Sequence, residues 1–126
     1  MTEQQEYERR RMAVADHILE HPEEFDMNTW GYQSTCGTVA CLAGTAALQA
    51  AAQDLCTPVW TQHGSGVNTL KYVRRPGRAG FAPISTFARE YLGMTAFGAN
   101  LFHRYELTPE QAAKALLEEP YVEEQS

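Results

Sequence analysis

Apolar positions recur at helical spacing over residues 3–21. Tyr7, Val14, Ala15, Ile18 and Leu19 alternate with charged residues, a pattern that predicts an amphipathic helix. Pro22 stops it, because proline lacks the N–H the next turn needs. The linker from Glu23 to Tyr32 carries Phe25, Met27, Trp30 and Tyr32, anchor side chains predicted to fold back onto a core. From Met27 to Gln53 no residue bears a formal charge. A second helix is predicted to start near Thr35 or Cys36, with Ser34 or Thr35 as N-cap, and to run to about Ala52. Cys36, Ala40, Ala43, Gly44, Ala47 and Ala51 form a stripe of small residues on it, with Val39, Cys41, Leu42 and Leu48 on other sides. A helix apolar all round is buried all round, which makes this the expected central helix.

Residues 55–82 change character. Pro58–Gln62 and Val67–Val73 are strand-like runs, with His63-Gly-Ser-Gly between them and Pro76-Gly77 after them, so a β-hairpin leaning on helices is predicted. Helix returns with Phe87, Ala88, Tyr91 and Leu92 on one face and Gly93 as the stop. Thr95 opens a short helix bearing Phe97, Leu101 and Phe102. Thr108, Pro109 and Gln111 then spell a capping box for a last helix, which Pro120 ends. The expected fold is mainly α, a compact helical domain around a buried central helix with one small hairpin. It is read as a single domain over 1–126, ordered from about 7 to 119, with a frayed acidic tail.

Composition changes this picture only at its edges. With 126 residues and 44% hydrophobic content the protein can bury a core without staples. A net charge of −6 argues against a general nucleic-acid surface. The three cysteines do not suggest a disulfide framework. The charged N-terminus lacks a signal-peptide core, and the apolar run from Gly37 to Ala52 is short for a membrane span and diluted by Thr38, Gly44, Thr45 and Gln49. A cytoplasmic protein is the expectation.

A thiol at a helix start feels the positive end of the macrodipole, which favours thiolate. Gln33-Ser34-Thr35-Cys36-Gly37 followed by an Ala-rich helix resembles the nucleophile segment of papain-like peptidases, and that resemblance implies Cys36 as nucleophile with His63 as base. The sequence departs from that family. Only 27 residues separate Cys36 from His63, Gln33 stands three before the cysteine, and Asn68 is the one orienting residue to try. The structural alternative is a small hydrophobe starting a packed helix. Zinc on Cys36, Cys41, Cys56 and His63 is disfavoured, since Cys36 and Cys41 on one helix diverge by about 140°. No metal and no cofactor are expected.

Lys71, Arg74, Arg75 and Arg78 gather four of the ten basic residues into a short stretch. With the neighbouring glycines they suit an anionic ligand or acidic partner surface, and Trp30, Trp60 and His63 complete the expected binding surface. A solvated hairpin paired with acidic helices is the alternative. His17 and His21 share a helix face at a metal-binding spacing but are read as surface histidines. His103 is placed at a helix end, and Glu23, Glu24 and Asp26 are read as solvated.

Cys36 to Ala46, C-G-T-V-A-C-L-A-G-T-A, resembles a motif of small bacterial and phage-encoded proteins of unknown function. F-D-M-N-T-W before it, and Y-L-G-M-T, N-L-F and T-P-E-Q-A-A after it, extend the likeness over about Val14 to Leu117, with Thr45 standing where tryptophan is frequent. The resemblance implies a compact helical domain and an accessory role on mobile elements. The function expected is a non-enzymatic intracellular binding or regulatory protein that contacts an unidentified protein or a small anionic ligand. No direct nucleic-acid or membrane contact is expected. The alternatives are a cysteine-dependent hydrolase or transferase using Cys36 and His63, and an inhibitor presenting acidic helices to a basic partner.

Overall fold

A computed structural model describes residues 2–34 and 37–122. The elements in order are α1 (Glu3–Glu20), a 3-10 turn (Pro22–Glu24), β1 (Tyr32–Ser34), β2 (Gly37–Val39), α2 (Leu42–Ala52), β3 (Thr57–Gln62), β4 (Asn68–Arg74), β5 (Ala82–Pro83), α3 (Ile84–Tyr91), a 3-10 segment (Ala96–His103) and α4 (Pro109–Glu118). The fold is α+β rather than mainly α: about 49% of the described residues are helical and 21% are in strands and bridges, with a five-stranded antiparallel sheet. The predicted hairpin is there as β3–β4. The difference lies in the uncharged stretch, where the expected first turn of the central helix is the second strand of a β1–β2 pair, Tyr32 facing Val39 and Ser34 facing Gly37. Thr38 and Val39 are β-branched and poor helix starters, and pairing satisfies their backbone groups first.

Sheet order is β2-β1-β4-β3, with β5 on the same edge of β4 as β1. Val59 pairs with Tyr72 but Trp60 pairs with Leu70, so Lys71 is an extra residue in β4. Such a bulge flips the alternation of faces. It lets Leu70 and Val73, three apart, both be buried beneath the helices.

α2 begins at Leu42, and Cys41 is its N-cap, with the sulfur accepting the Gly44 N–H at 3.4 Å. Leu42, Ala43, Ala46, Ala47 and Ala50 are fully buried, as expected of a central helix. The linker closes over its start: Cys41 N–H donates to the Thr29 carbonyl at 2.9 Å, and a Cβ on Gly44 would lie 1.5 Å from the Trp30 carbonyl oxygen. Only glycine admits that approach. α3 and α4 end and begin as the sequence indicates, with Thr108 and Gln111 forming the capping box. A second capping box, Thr2 with Gln5, opens α1.

α1 departs from its expected face. Leu19 is 46% exposed, whereas Arg11 is fully buried beside Val14, Ala15 and Ile18. The Arg11 fork uses all five donors on carbonyls. Nε donates to Leu92 at 2.8 Å, Nη1 to Leu116 and Glu119, and Nη2 to Gly93 at 3.2 Å and Pro120 at 3.3 Å. These carbonyls lie at or just beyond the C-terminal ends of α3 and α4, which carry negative dipole ends; of the five, Leu116 also accepts the Glu119 N–H and Gly93 the Val122 N–H. The Tyr121 ring covers the guanidinium at 3.8 Å. No helix among the described residues is long and apolar enough to cross a membrane.

Candidate functional site

Arg75, Pro76, Gly77 and Arg78 form a tight turn closed by Arg78 N–H on the Arg75 carbonyl at 3.3 Å, with Gly77 at φ +71. Proline second and a left-handed glycine third are the residues a type II turn requires. The turn carries its two arginines to one side. There they meet Arg10 from α1, and the three line a shallow pocket of about 240 Å3 together with Leu55, Phe87, Tyr91 and the Glu90 carboxylate. Phe87 and Tyr91, one turn apart on α3, stack at 5.8 Å. Arg10 lies 4.3 Å over the Tyr91 ring and donates to the Tyr91 carbonyl at 3.0 Å. Its Nε is buried without a hydrogen bond, 3.5 Å from a Glu6 carboxylate oxygen. Arg75 pairs with Glu90 at 3.3 Å, while Arg78 has no ion-pair partner among the described residues. Guanidinium groups over an apolar, aromatic floor suit a carboxylate or phosphate carried by a partly apolar molecule.

The other expected binding residues lie elsewhere. Lys71 is exposed in the bulge, and Arg74 sits 5.3 Å over the Phe81 ring. Trp60 packs half-buried from β3 against the core. Trp30 meets His103 edge-on at 5.8 Å and helps line a separate cavity with Phe102 and Tyr105. His63 is engaged by Thr69 Oγ1 at 2.7 Å. Arg10, Leu55, Phe87 and Tyr91 do not stand out in the sequence as binding residues. Phe87 and Tyr91 show there only as a helix face, and nothing in the run Arg9-Arg10-Arg11 tells which arginine turns inward.

Cys36 lies outside the described residues, and the helix expected to start there begins six residues later, at Leu42. The cysteine at the start of α2 is Cys41, and burial pushes its thiol up to about 11 despite the Gly44 N–H and the helix dipole. Cys56, also buried, is pushed up to about 11 by burial and bonds the Ala47 carbonyl through its sulfur.

A groove of about 250 Å3 runs between the end of α1, β2 and α2. His17, Glu24, Thr38, Leu48 and Gln49 line it. Glu23 and Glu24, read from sequence as solvated, stand beside the histidines: His21 Nδ1 is 3.5 Å from Glu23 and 3.3 Å from Glu24, and His17 Nε2 is 3.7 Å from the other Glu24 oxygen.

No protein-family model matches the protein, and neither a curated protein nor a solved structure does.

Proposed function

We propose that this is a small non-enzymatic binding protein that engages a carboxylate or phosphate, on a protein or a small ligand, through Arg10, Arg75 and Arg78. The observation that carries the reading is the convergence of three guanidinium groups, from segments far apart in sequence, on one apolar-floored pocket of a protein with net charge −6. A local inversion of sign concentrates an anionic partner where the field is focused. Arg78, exposed and without an ion-pair partner among the described residues, leaves its donors for that partner. Cys41 and Cys56 are buried free thiols, which suits a reducing, intracellular setting. A mobile-element accessory role is compatible with this and rests on the sequence likeness around Cys36–Ala46.

The test is an NMR titration of the isotope-labelled protein with inorganic pyrophosphate and with a short oligoglutamate peptide. Saturable shifts at the 75–78 amides and at Phe87 and Tyr91, lost in an Arg75→Glu, Arg78→Glu variant, support it. Absence of shifts with both probes, or shifts unchanged in the variant, rejects it.

A further inference from the structure

Two turns beyond Arg10, the end of α1 and the turn after it bring three metal-ligand side chains into one cluster with a fourth, His17, beside Glu24, within the segment His17-Ile-Leu-Glu-His-Pro-Glu-Glu24. His17 and His21 lie one turn apart, their rings 5.0 Å between centroids. Pro22 begins the 3-10 turn that folds the backbone back, and Glu24 N–H closes it on the His21 carbonyl at 2.9 Å. The Glu24 carbonyl in turn accepts Ala40 N–H at 2.9 Å, which ties this residue's backbone to the strand that precedes α2. One ligand atom from each of His21, Glu23 and Glu24 lies within 4.8 Å of the others.

We infer that His17, His21, Glu23 and Glu24 form a binding site for a zinc ion. Zinc bonds of about 2.0–2.1 Å arranged tetrahedrally set neighbouring ligand atoms about 3.3 Å apart. The separations His21–Glu24 of 3.3 Å and His21–Glu23 of 3.5 Å sit close to that edge before any side chain moves, and His17, 3.7 Å from the other Glu24 oxygen, joins them by side-chain rotation. Two neutral imidazoles and two carboxylates cancel the charge of a divalent ion, and imidazole with carboxylate is a donor set that zinc accepts. The negative end of the α1 dipole adds to the attraction. Because backbone bonds hold the turn in place, binding needs only side-chain rotations. Since His17 and Glu24 also line the groove against α2, an ion held there becomes part of that groove's wall.

Calorimetric titration of the full-length protein with zinc chloride, followed by cobalt(II) absorption, tests this. One zinc per molecule at micromolar affinity is expected, with the intense visible bands of four-coordinate cobalt. His17→Gln with His21→Gln should weaken binding on the order of a hundredfold, and Glu24→Gln about tenfold. His63→Gln with His103→Gln should leave it unchanged. The four ligand side chains are partly exposed, so circular dichroism should show the variants folded. Absence of saturable uptake, or uptake that survives loss of His17 and His21, overturns the site.

Discussion

Arg11 and the Arg75–Arg78 turn put one side-chain type to opposite uses. Arg11 is fully buried, and burial pulls its pKa below the usual arginine value. It stays in place because two helix ends point five carbonyls at its five donors and Tyr121 covers its face. Arg78 stands exposed, one of three arginines at a pocket whose donors are only partly used. What separates them is the supply of backbone acceptors. Where helix C-termini converge, a guanidinium is consumed as a structural cap. Where one reaches past an apolar floor into solvent, its donors remain for a partner. Arg10, next to Arg11 in sequence, spans both situations, with one bond to the Tyr91 carbonyl and one nitrogen that makes no hydrogen bond.

The sharpest way to break this contrast is to remove Arg11. Arg11→Met should cost about 3–5 kcal/mol in urea unfolding, because five carbonyls lose a shared donor in a dry site. Arg11→Lys should cost about 2 kcal/mol, since an ammonium cannot match the fork. Loss of less than half these amounts would mean that water caps those helices equally well.

Gly93 belongs to the same knot. It holds φ +66, its carbonyl accepts from Arg11, and a Cβ there would lie 2.2 Å from the Tyr7 ring. Gly93→Ala should therefore cost about 2–3 kcal/mol by the same measurement. A neutral outcome would show that the end of α3 and the start of α1 separate freely.

Cys41 is a milder case of a polar group held by burial. Its folded value of about 11 lies above the ordinary 9.0, so the unfolded state releases its proton first. Stability is level below pH 9 and falls as pH rises toward 11, by about 1–3 kcal/mol for this thiol. Iodoacetamide labelling of native Cys41 near pH 8 should run at least about a hundredfold slower than in the unfolded state. Fast labelling would place this thiol in the open.

The smallest effect on stability belongs to the pocket rim. Arg75→Glu with Arg78→Glu should shift unfolding by no more than about 0.5 kcal/mol while abolishing the pyrophosphate shifts. A large destabilisation would turn the rim into a second structural knot and end the contrast.

Strong local signals are legible in the sequence. Pro22, the Thr108–Gln111 box, Gly93 and the Gly-rich turn between the two strand-like runs act over a few residues, and each element lies close to where those residues put it. Gly37–Val39 misleads because a run of uncharged small and β-branched residues fits a buried helix or a buried strand equally well. Pairing with β1, which is itself held by β4, decides for strand, and that moves the helix start from Cys36 to Leu42. The site is half legible. Arg75 and Arg78 stand out in sequence, but Arg10 and the Phe87–Tyr91 floor become a site only when α1 meets α3.

By itself the sequence determined where most helices stop, that a helix ending near Ala52 is buried, and that a basic turn interrupts an acidic protein. Tertiary structure alone decided that Arg11 is interior, that Cys41 rather than Cys36 stands at the start of the central helix, and that His17 and His21 stand beside Glu23 and Glu24. The reason is range: caps, breakers and periodicity act within a turn or two, whereas the partner that satisfies a carbonyl or a guanidinium can come from anywhere in the sequence.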